Sequence, residues 1–313
     1  MPPVEPSIRG LLLTSASAVA LSVSTAARAA PHASPTLTVW GEGSPFWTGG
    51  GSFNVPTIPG LTAPYTSFLP GVGVEGAVGF DYRWQSQPWH FIFDFRYGRS
   101  GNASGTSGSF HSTPAFGTLV STTTTSNQDT EHETHLVADF MVGRDVGLGL
   151  AKSQLQFGVR IVDLYATASA ANTGKHTYYS ASTLHTVSQS TTGEWSSQFF
   201  GIGPRLAYVG STPIKGPWSF EYGSGIALLF GNRTFDVSLS TGYSRHERAM
   251  TLVFNLDGWL ALTYTLGPRY KISGGLRGDY YNAALTTYDI NTGGLRSIDR
   301  VYWGPFVRLT AAF

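Results

Sequence analysis

The segment Asp129 to His135, which reads D-T-E-H-E-T-H, holds the densest local group of side chains in this chain that could do metal or acid-base chemistry. Its two histidines, His132 and His135, are three positions apart, so the segment does not match the H-E-x-x-H pattern of zinc peptidases. On a strand they would face opposite sides. The segment follows a long polar tract, which favours a hydrated loop end, although a folded loop could still bring both histidines to one metal ion.

A larger set of charged residues recurs on one face of the segments that alternate apolar and polar positions. If these segments form the wall of a closed barrel, the charges lie in surroundings of low dielectric constant, so each of them must be paired or hydrated. They could set the ion preference of a narrow hydrated path, or they could neutralise one another inside a plugged interior. The residues predicted to line this lumen are Glu75, Asp81, Arg83, His90, Asp94, Arg96, Asp139, Arg160, Arg205, Glu221, Asp257, Lys271, Arg277, Asp279, Arg300 and Arg308.

The segments that carry these charges read as β-strands, because apolar residues recur with a period of two. The tract 100–133 reads as a long surface loop, into which strand extensions could project past the membrane surface. Short turns such as Ser86-Gln87-Pro88 and Gly267-Pro268 alternate with long polar tracts such as 100–133 and 168–193. This alternation predicts an all-β transmembrane antiparallel up-and-down β-barrel of about 10 strands (8–12), with long extracellular loops and short periplasmic turns.

Strand length and aromatic placement favour the barrel over a soluble β-sandwich, which would also alternate. The patterned segments exceed the ~5 to 6 residues usual in soluble strands and reach the about 9 to 11 that a tilted membrane strand needs. Aromatic residues also gather on the apolar face at the turn ends, as an interfacial girdle would. The predicted girdle consists of Tyr82, Trp84, Trp89, Tyr208, Trp218, Tyr264, Tyr270 and Phe313.

Composition and the amino terminus restrict the compartment and the chemistry. Residues 1–29 read as a cleaved signal peptide, because Gly10 to Val23 is a short apolar run and Ala27-Arg28-Ala29 matches a small-x-small cleavage site. Residues 30–313 would then form the barrel and be formally neutral, which gives no indication of nucleic-acid binding. The chain has no Cys, so disulfides and thiolate chemistry are excluded. No cofactor is expected.

Two stretches resemble a known family. The strings F-F-G-I-G-P-R-L-A-Y-V-G at Phe199 and G-P-W-S-F-E-Y-G-S-G-I-A-L-L-F-G at Gly216 resemble a hairpin of the Legionella-type major outer membrane protein family of pore-forming barrels. Q-F-G-V-R-I-V-D-L-Y at Gln156 is similar to that family's glycine-arginine strand motif. The resemblance implies an outer-membrane pore, and it brings no catalytic residues with it.

The last stretch, Asp299 to Phe313, predicts the closing strand, with Arg300 and Arg308 in the lumen and an apolar row against outer-membrane lipid. Pro305 lies in that row, where it removes a ladder donor, so we expect a β-bulge there. Phe313 resembles the terminal aromatic residue that the barrel-assembly machinery recognises in such strands.

These observations support one leading hypothesis and two alternatives. The leading one is a porin-like barrel in the bacterial outer membrane that allows passive diffusion of ions or small hydrophilic solutes, without enzymatic activity. The second is a surface-display or adhesion barrel with a closed lumen that binds partners through its Ser/Thr/Gly-rich loops. The third, a rim hydrolase, would combine the acid-histidine segment with His246-Glu247.

Overall fold

The described residues of the computed structural model form thirteen β-strands. The structure describes residues 36–56, 65–68, 70–85, 87–102, 106–107, 119–147, 152–180, 183–240, 242–288 and 294–313. The expected signal peptide lies outside these residues. The strands are β1 (Thr36–Gly50), β2 (Phe53–Pro56), β3 (Tyr65–Phe68), β4 (Gly73–Arg83), β5 (Trp89–Ser100), β6 (Thr106–Ser107), β7 (Leu119–Asp145), β8 (Lys152–Ser180), β9 (Thr183–Lys215), β10 (Trp218–Leu239), β11 (Ser244–Leu266), β12 (Tyr270–Tyr288) and β13 (Leu295–Ala312).

Ten of the strands close into one antiparallel barrel in the order β1-β13-β12-β11-β10-β9-β8-β7-β5-β4, which confirms the predicted strand number. Strands β2, β3 and β6 form a separate three-stranded sheet in the long-loop regions. The barrel closes where β1 pairs with β13, and the backbone of Phe313 exchanges two hydrogen bonds with Leu37. The start of β1 and the end of β13 therefore both lie at the end of the barrel that carries the short turns. In outer-membrane barrels these turns face the periplasm.

The lower barrel is the part that carries the short turns. Its outward face carries a belt of exposed apolar side chains, as a bilayer requires. On β11, for example, Leu252, Phe254, Leu256, Leu260 and Leu262 are all exposed on this face. All eight predicted girdle aromatics lie on the outward-facing positions near the short turns, and Trp218 packs edge-on against Tyr264 at 4.8 Å.

The polarity of the two faces reverses toward the long-loop end of the barrel. On β8, Phe157, Val159 and Ile161 point outward, and the next outward positions are Asp163, Tyr165, Thr167 and Ser169. The inward positions change in the opposite sense, because Val162 and Leu164 are fully buried. Asp163 accepts a hydrogen bond from Gln198 on the neighbouring strand, and the ladders on both sides of it keep their register. Asp163 thus marks the upper edge of the lipid belt.

Strands β7, β8 and β9 continue far beyond this edge. They contain 27, 29 and 33 residues, so the β8–β9 hairpin rises about 40 Å above Asp163 at ~3.3 Å per residue and a ~40° tilt. Within the tract 100–133, residues from Leu119 onward therefore belong to β7, as the expected strand extensions require and a loop does not.

The prediction of a β-bulge at Pro305 is wrong. The register on either side, Gly43 with Val307 and Trp47 with Trp303, is the same and places Pro45 directly opposite Pro305. Two opposed prolines both lack an N–H, so the ladder loses its donors without an extra residue. The Ser44 hydroxyl donates to the Pro305 carbonyl at 2.7 Å and partly fills the gap.

Candidate functional site in the barrel lumen

A layer of arginines and carboxylates crosses the lumen at mid-height. Arg160 on β8 donates from Nε and Nη2 to both oxygens of Asp139, each at 2.7 Å, and from Nη1 to Asp257 at 2.8 Å. Arg205 on β9 bridges the same two aspartates at 2.6 Å each. The Arg160 side chain is 0% exposed, so its charge depends on these partners and on Asn255, which also accepts from Nη1.

Other ion pairs of this layer join strands that are not neighbours in the sheet. Arg96 on β5 makes a bidentate pair with Asp279 on β12, at 2.7 and 3.1 Å. Arg277 also lies on β12, and it reaches Glu75 on β4 at 3.1 Å and Glu42 on β1. Bidentate arginine–carboxylate pairs are among the strongest polar contacts in proteins, so the layer ties opposite walls of the barrel together.

Two further contacts complete the layer at β13 and β7. Arg308 donates to Glu42 at 2.9 Å, and it lies over the rings of Trp259 and Phe306 at 4.9 and 5.2 Å. His135 Nε2 lies 2.6 Å from a Glu75 oxygen. A side chain at Gly98 would overlap the His135 ring, so the glycine makes room for the histidine.

A cavity of about 870 Å³ lies below the ion layer, at the end of the barrel that carries the short turns. Its walls include Arg83, Glu221 and Lys271 near the mouth and Trp40 and Trp259 deeper inside. The Trp40 indole donates to Asp94 at 3.2 Å. The cavity can hold water and small polar solutes, since charged groups of both signs line it.

A compact cluster stands at one side of this cavity. His90 Nδ1 lies 2.7 Å from Asp81, which also accepts from Arg83 at 3.1 Å. Arg83 reaches Asp145 as well, at the end of β7. His90 is almost fully buried beneath these charges. The cluster joins β4, β5 and β7 at the periplasmic end and leaves the cavity beside it open.

Above the ion layer the lumen is filled by apolar side chains, a region that we call the apolar plug. Its largest fully buried members come from β9, β10 and β12. The Phe199 ring folds over Gly201, where a side chain would clash with it. The plug consists of Phe46, Val137, Val162, Leu164, Ala166, Ala168, Trp195, Phe199, Ala227, Leu229, Phe235, Val237, Leu239, Val253, Tyr281, Ala284, Leu285, Tyr288, Ile298 and Tyr302.

Two carboxylates of β7 are buried beside the plug, above the lipid belt. Glu133 pairs with Arg300 at 2.7 Å and accepts a hydrogen bond from the Tyr302 hydroxyl at 3.2 Å. Glu131 is 0% exposed, and neither of its oxygens meets a hydrogen-bond donor among the described residues. Burial raises the pKa of the Glu131 carboxyl to about 8; the Glu133 carboxylate also raises it, and Arg300 lowers it. Glu131 is therefore mostly protonated at neutral pH.

All the residues predicted to line the lumen project into the barrel interior, though not to one common site. Most border the cavity or the ion layer, and Arg300 lies higher, against Glu133. The sequence reasoning missed Glu42, Glu133 and Asn255, which accept hydrogen bonds from Arg308, Tyr302 and Arg160 respectively. Glu42 follows Gly41 and precedes Gly43, so the alternation around it was too weak to detect.

The histidine segment is split between the two faces of β7, as a strand requires. His135 points into the lumen, and His132 occupies an outward position. His246 lies on β11 and contacts Asp236 on the exposed rim, away from β7. Within the described ranges no three His, Asp or Glu side chains gather in a geometry that could hold a metal ion. The described part of the chain also has no helix long and apolar enough to cross a membrane.

Comparisons with known proteins identify similar folds. No family model matches the chain, and no curated protein does. The outer membrane protease OmpT from Escherichia coli aligns with a TM-score of 0.47 and 10% identity over 88% of this chain and 97% of that one. A major outer membrane protein from Thermus thermophilus aligns with a TM-score of 0.35 and 10% identity, over 89% and 99%. The translocator domain of autotransporter NalP from Neisseria meningitidis aligns with a TM-score of 0.34 and 10% identity, over 90% and 89%. At this identity the likeness concerns the fold alone, and the resemblance to the Legionella-type family stays a prediction.

Proposed function

We propose that this protein is a bacterial outer-membrane barrel with a closed lumen, which displays its extended strands outside the cell. The proposal is supported by two barriers that lie one above the other in the lumen. The ion layer joins opposite walls, and the apolar plug fills the barrel above it. A hydrated path would have to pass through both.

The cost of opening such a path supports the closed state. Breaking one buried ion pair by removing a partner costs roughly 3 to 5 kcal/mol, because the remaining charge is left without compensation. Arg160, Arg96 and Arg277 each hold carboxylates on other strands. Separating them would have to break several buried pairs together, which disfavours an open path.

Planar-bilayer recording of the refolded full chain tests the proposal. We expect no stepwise conductance at moderate voltage and neutral pH, and no swelling of vesicles in small sugars. Reproducible conductance steps from pure protein would overturn the closed-lumen proposal. A known porin, refolded in the same lipid, gives the positive control.

One observation favours a second candidate, the porin-like pore indicated by the sequence. The cavity of about 870 Å³ already provides a charged, solvent-sized space at the short-turn end of the barrel. A pore would then require both the ion layer and the apolar plug to move aside. If so, replacing Arg205 with Glu should change the ion preference of the current, whereas a closed barrel should show no current before or after the change.

The surroundings of the barrel follow from its outward face. We place outer-membrane lipid around the apolar belt, and we retain the prediction that the barrel-assembly machinery reads the closing strand with Phe313. No catalytic role is proposed. His132 and His246 lie on different sides of the barrel, which gives no support to a rim hydrolase.

A further inference from the structure

Strands β7, β8 and β9 form a three-stranded sheet that extends beyond the other strands of the barrel. No described strand covers the upper part of either lateral edge of this sheet. On one side, β5 pairs with β7 only up to Thr134. On the other side, β10 pairs with β9 from Gly193 downward, and Ser240 then bonds Thr192. The upper parts of β7 (119–133) and β9 (183–191) therefore each lack a described partner strand on their outer side.

The two edges differ in the features that normally prevent strands from pairing. Natural edge strands carry charges, prolines or bulges for this purpose. The β7 edge has two register shifts, at Leu119/Ser121 and Ser126/Gln128, and it contains Asp129. The β9 edge has none of these features. Its register with β8 is constant from Lys152–Ser211 to Ser180–Thr183, and its sequence T-L-H-T-V-S-Q-S-T contains no proline, Asp, Glu, Lys or Arg.

The backbone of the β9 edge is arranged to accept another strand. Thr192 exchanges hydrogen bonds with Ser240 through both its N–H and its C=O, so these groups point away from β8. In an antiparallel ladder the direction alternates with every residue. The N–H and C=O groups of Leu184, Thr186, Ser188 and Ser190 therefore point to the uncovered edge as well.

This edge is complementary to itself. If Val187 lies on a two-fold axis, Thr186 faces Ser188 and Leu184 faces Ser190 of the second strand. All of these residues direct their backbone groups to the edge, so they form pairs that exchange both hydrogen bonds, roughly eight bonds in total. No charged residue opposes a like charge, because the segment contains no Asp, Glu, Lys or Arg.

We propose that the β9 edge, residues 183–191, pairs with the same edge of a second copy of this chain in an apposed membrane. The inference rests on the proposed display function. The two-fold axis of an antiparallel edge-to-edge pair is perpendicular to the sheet, and the sheet is itself perpendicular to the membrane plane. The axis therefore lies parallel to the membrane plane and turns the second barrel upside down. The pairing joins two membranes and so provides homotypic contact between cells.

Cysteine cross-linking tests the pairing directly, because the native chain has no Cys. Val187→Cys would place two thiols opposite each other with Cα atoms about 4.5 Å apart, within the range of a disulfide. Full-length protein with two different tags is refolded into two vesicle populations, which are then mixed with a mild oxidant. We expect disulfide dimers that contain both tags. Thr123→Cys, on the β7 edge, serves as the matched control and should give none.

A second pair of variants separates the backbone from the side chain. Ser188→Pro removes an N–H that points to the uncovered edge, and proline is tolerated at such a position. Ser188→Ala keeps that N–H. We expect vesicles with the unmodified chain or Ser188→Ala to cluster, and vesicles with Ser188→Pro to remain as dispersed as empty vesicles.

Three results would overturn the pairing: no mixed-tag dimer, equal dimer yield from Thr123→Cys, or dimers confined to one vesicle population. Clustering that survives Ser188→Pro would also contradict it. Conductance is measured on the same preparation. If the barrel conducts no current and the vesicles do not cluster, the strand pairing alone is contradicted. If the barrel conducts current, the proposed function is contradicted.

Discussion

The lower and upper halves of the barrel are built with opposite polarity. In the lower half, apolar side chains such as Leu256 and Leu260 face outward, and the interior holds the ion layer. In the upper half the interior holds the apolar plug, while outward positions such as Asp163 and Asp236 are polar. The same strands run through both halves without interruption.

This difference shows that the solvent around each half determines the polarity of its faces. Lipid takes up apolar side chains, so the charges of the lower half are left to the interior, where they must pair with one another. Water surrounds the upper half, so its apolar residues gather inside as in a soluble β-barrel. The interior of the barrel therefore holds ion pairs at mid-height and apolar packing above them.

Replacing Arg160 is expected to have the largest effect on the lower half. Arg160→Ala would leave Asp139 and Asp257 buried and less compensated, so the free energy of unfolding should fall by roughly 3 to 5 kcal/mol. Urea unfolding in lipid vesicles, followed by tryptophan fluorescence, measures this change.

Lys271→Ala is the matched control for a charge in the same lumen. Its ammonium is about half exposed and lies 3.7 Å from Glu221, and such pairs contribute only about 0 to 1 kcal/mol. Equal losses from the two variants would mean that the ion layer does not hold the walls together.

Leu228 and Leu229 allow the packing of the apolar plug to be tested at adjacent positions. Leu229 is fully buried in the apolar plug, and Leu228 is exposed on the outward face. Leu229→Ala should cost about 3 kcal/mol, because it removes apolar contacts and leaves a cavity. Leu228→Ala should cost roughly 1.5 kcal/mol, since lipid chains fill the space and only the transfer energy is lost. Equal effects in the same unfolding assay would contradict a packed plug.

The sequence predicted the lower half well and the upper half poorly, for a physical reason. Long alternation of large apolar residues with charges identified the lipid belt and placed Arg160 and Arg205 inside. Above the belt the apolar residues change to the other parity and become small, as at Ala166 and Ala168, among many Ser and Thr. Segments that are polar overall read as loops, so Glu131 and Glu133 were assigned to a loop end. The change of parity at Asp163 was the signal that could have revealed the plug.

Contacts between distant strands could not be predicted, because alternation fixes a face and not a partner. Arg96 pairs with Asp279, which lies 183 positions away in the sequence. Their meeting depends on barrel closure and on the stagger of the strands, neither of which is encoded locally.

Glu131 gives the smallest and most specific prediction, a pH dependence that belongs to the upper half alone. Its pKa of about 8 in the folded protein lies above the ordinary value of 4.5. The folded state therefore binds more protons than the unfolded state between these values, and stability decreases as the pH rises through this window. From pH 6 to pH 8 the free energy of unfolding should fall by roughly 2 to 3 kcal/mol on account of this group.

Glu131→Gln should remove that decrease, because an amide stays neutral at every pH in the window. The difference between the two unfolding profiles isolates this group, since histidines and other carboxylates titrate in both proteins. Glu133→Gln is the matched control. It leaves Arg300 buried without its carboxylate, so it should destabilise the protein at every pH from 5 to 8. Parallel profiles for the unmodified chain and Glu131→Gln would show that Glu131 meets water or a cation in solution, and the upper half would then be wetter than its packing indicates.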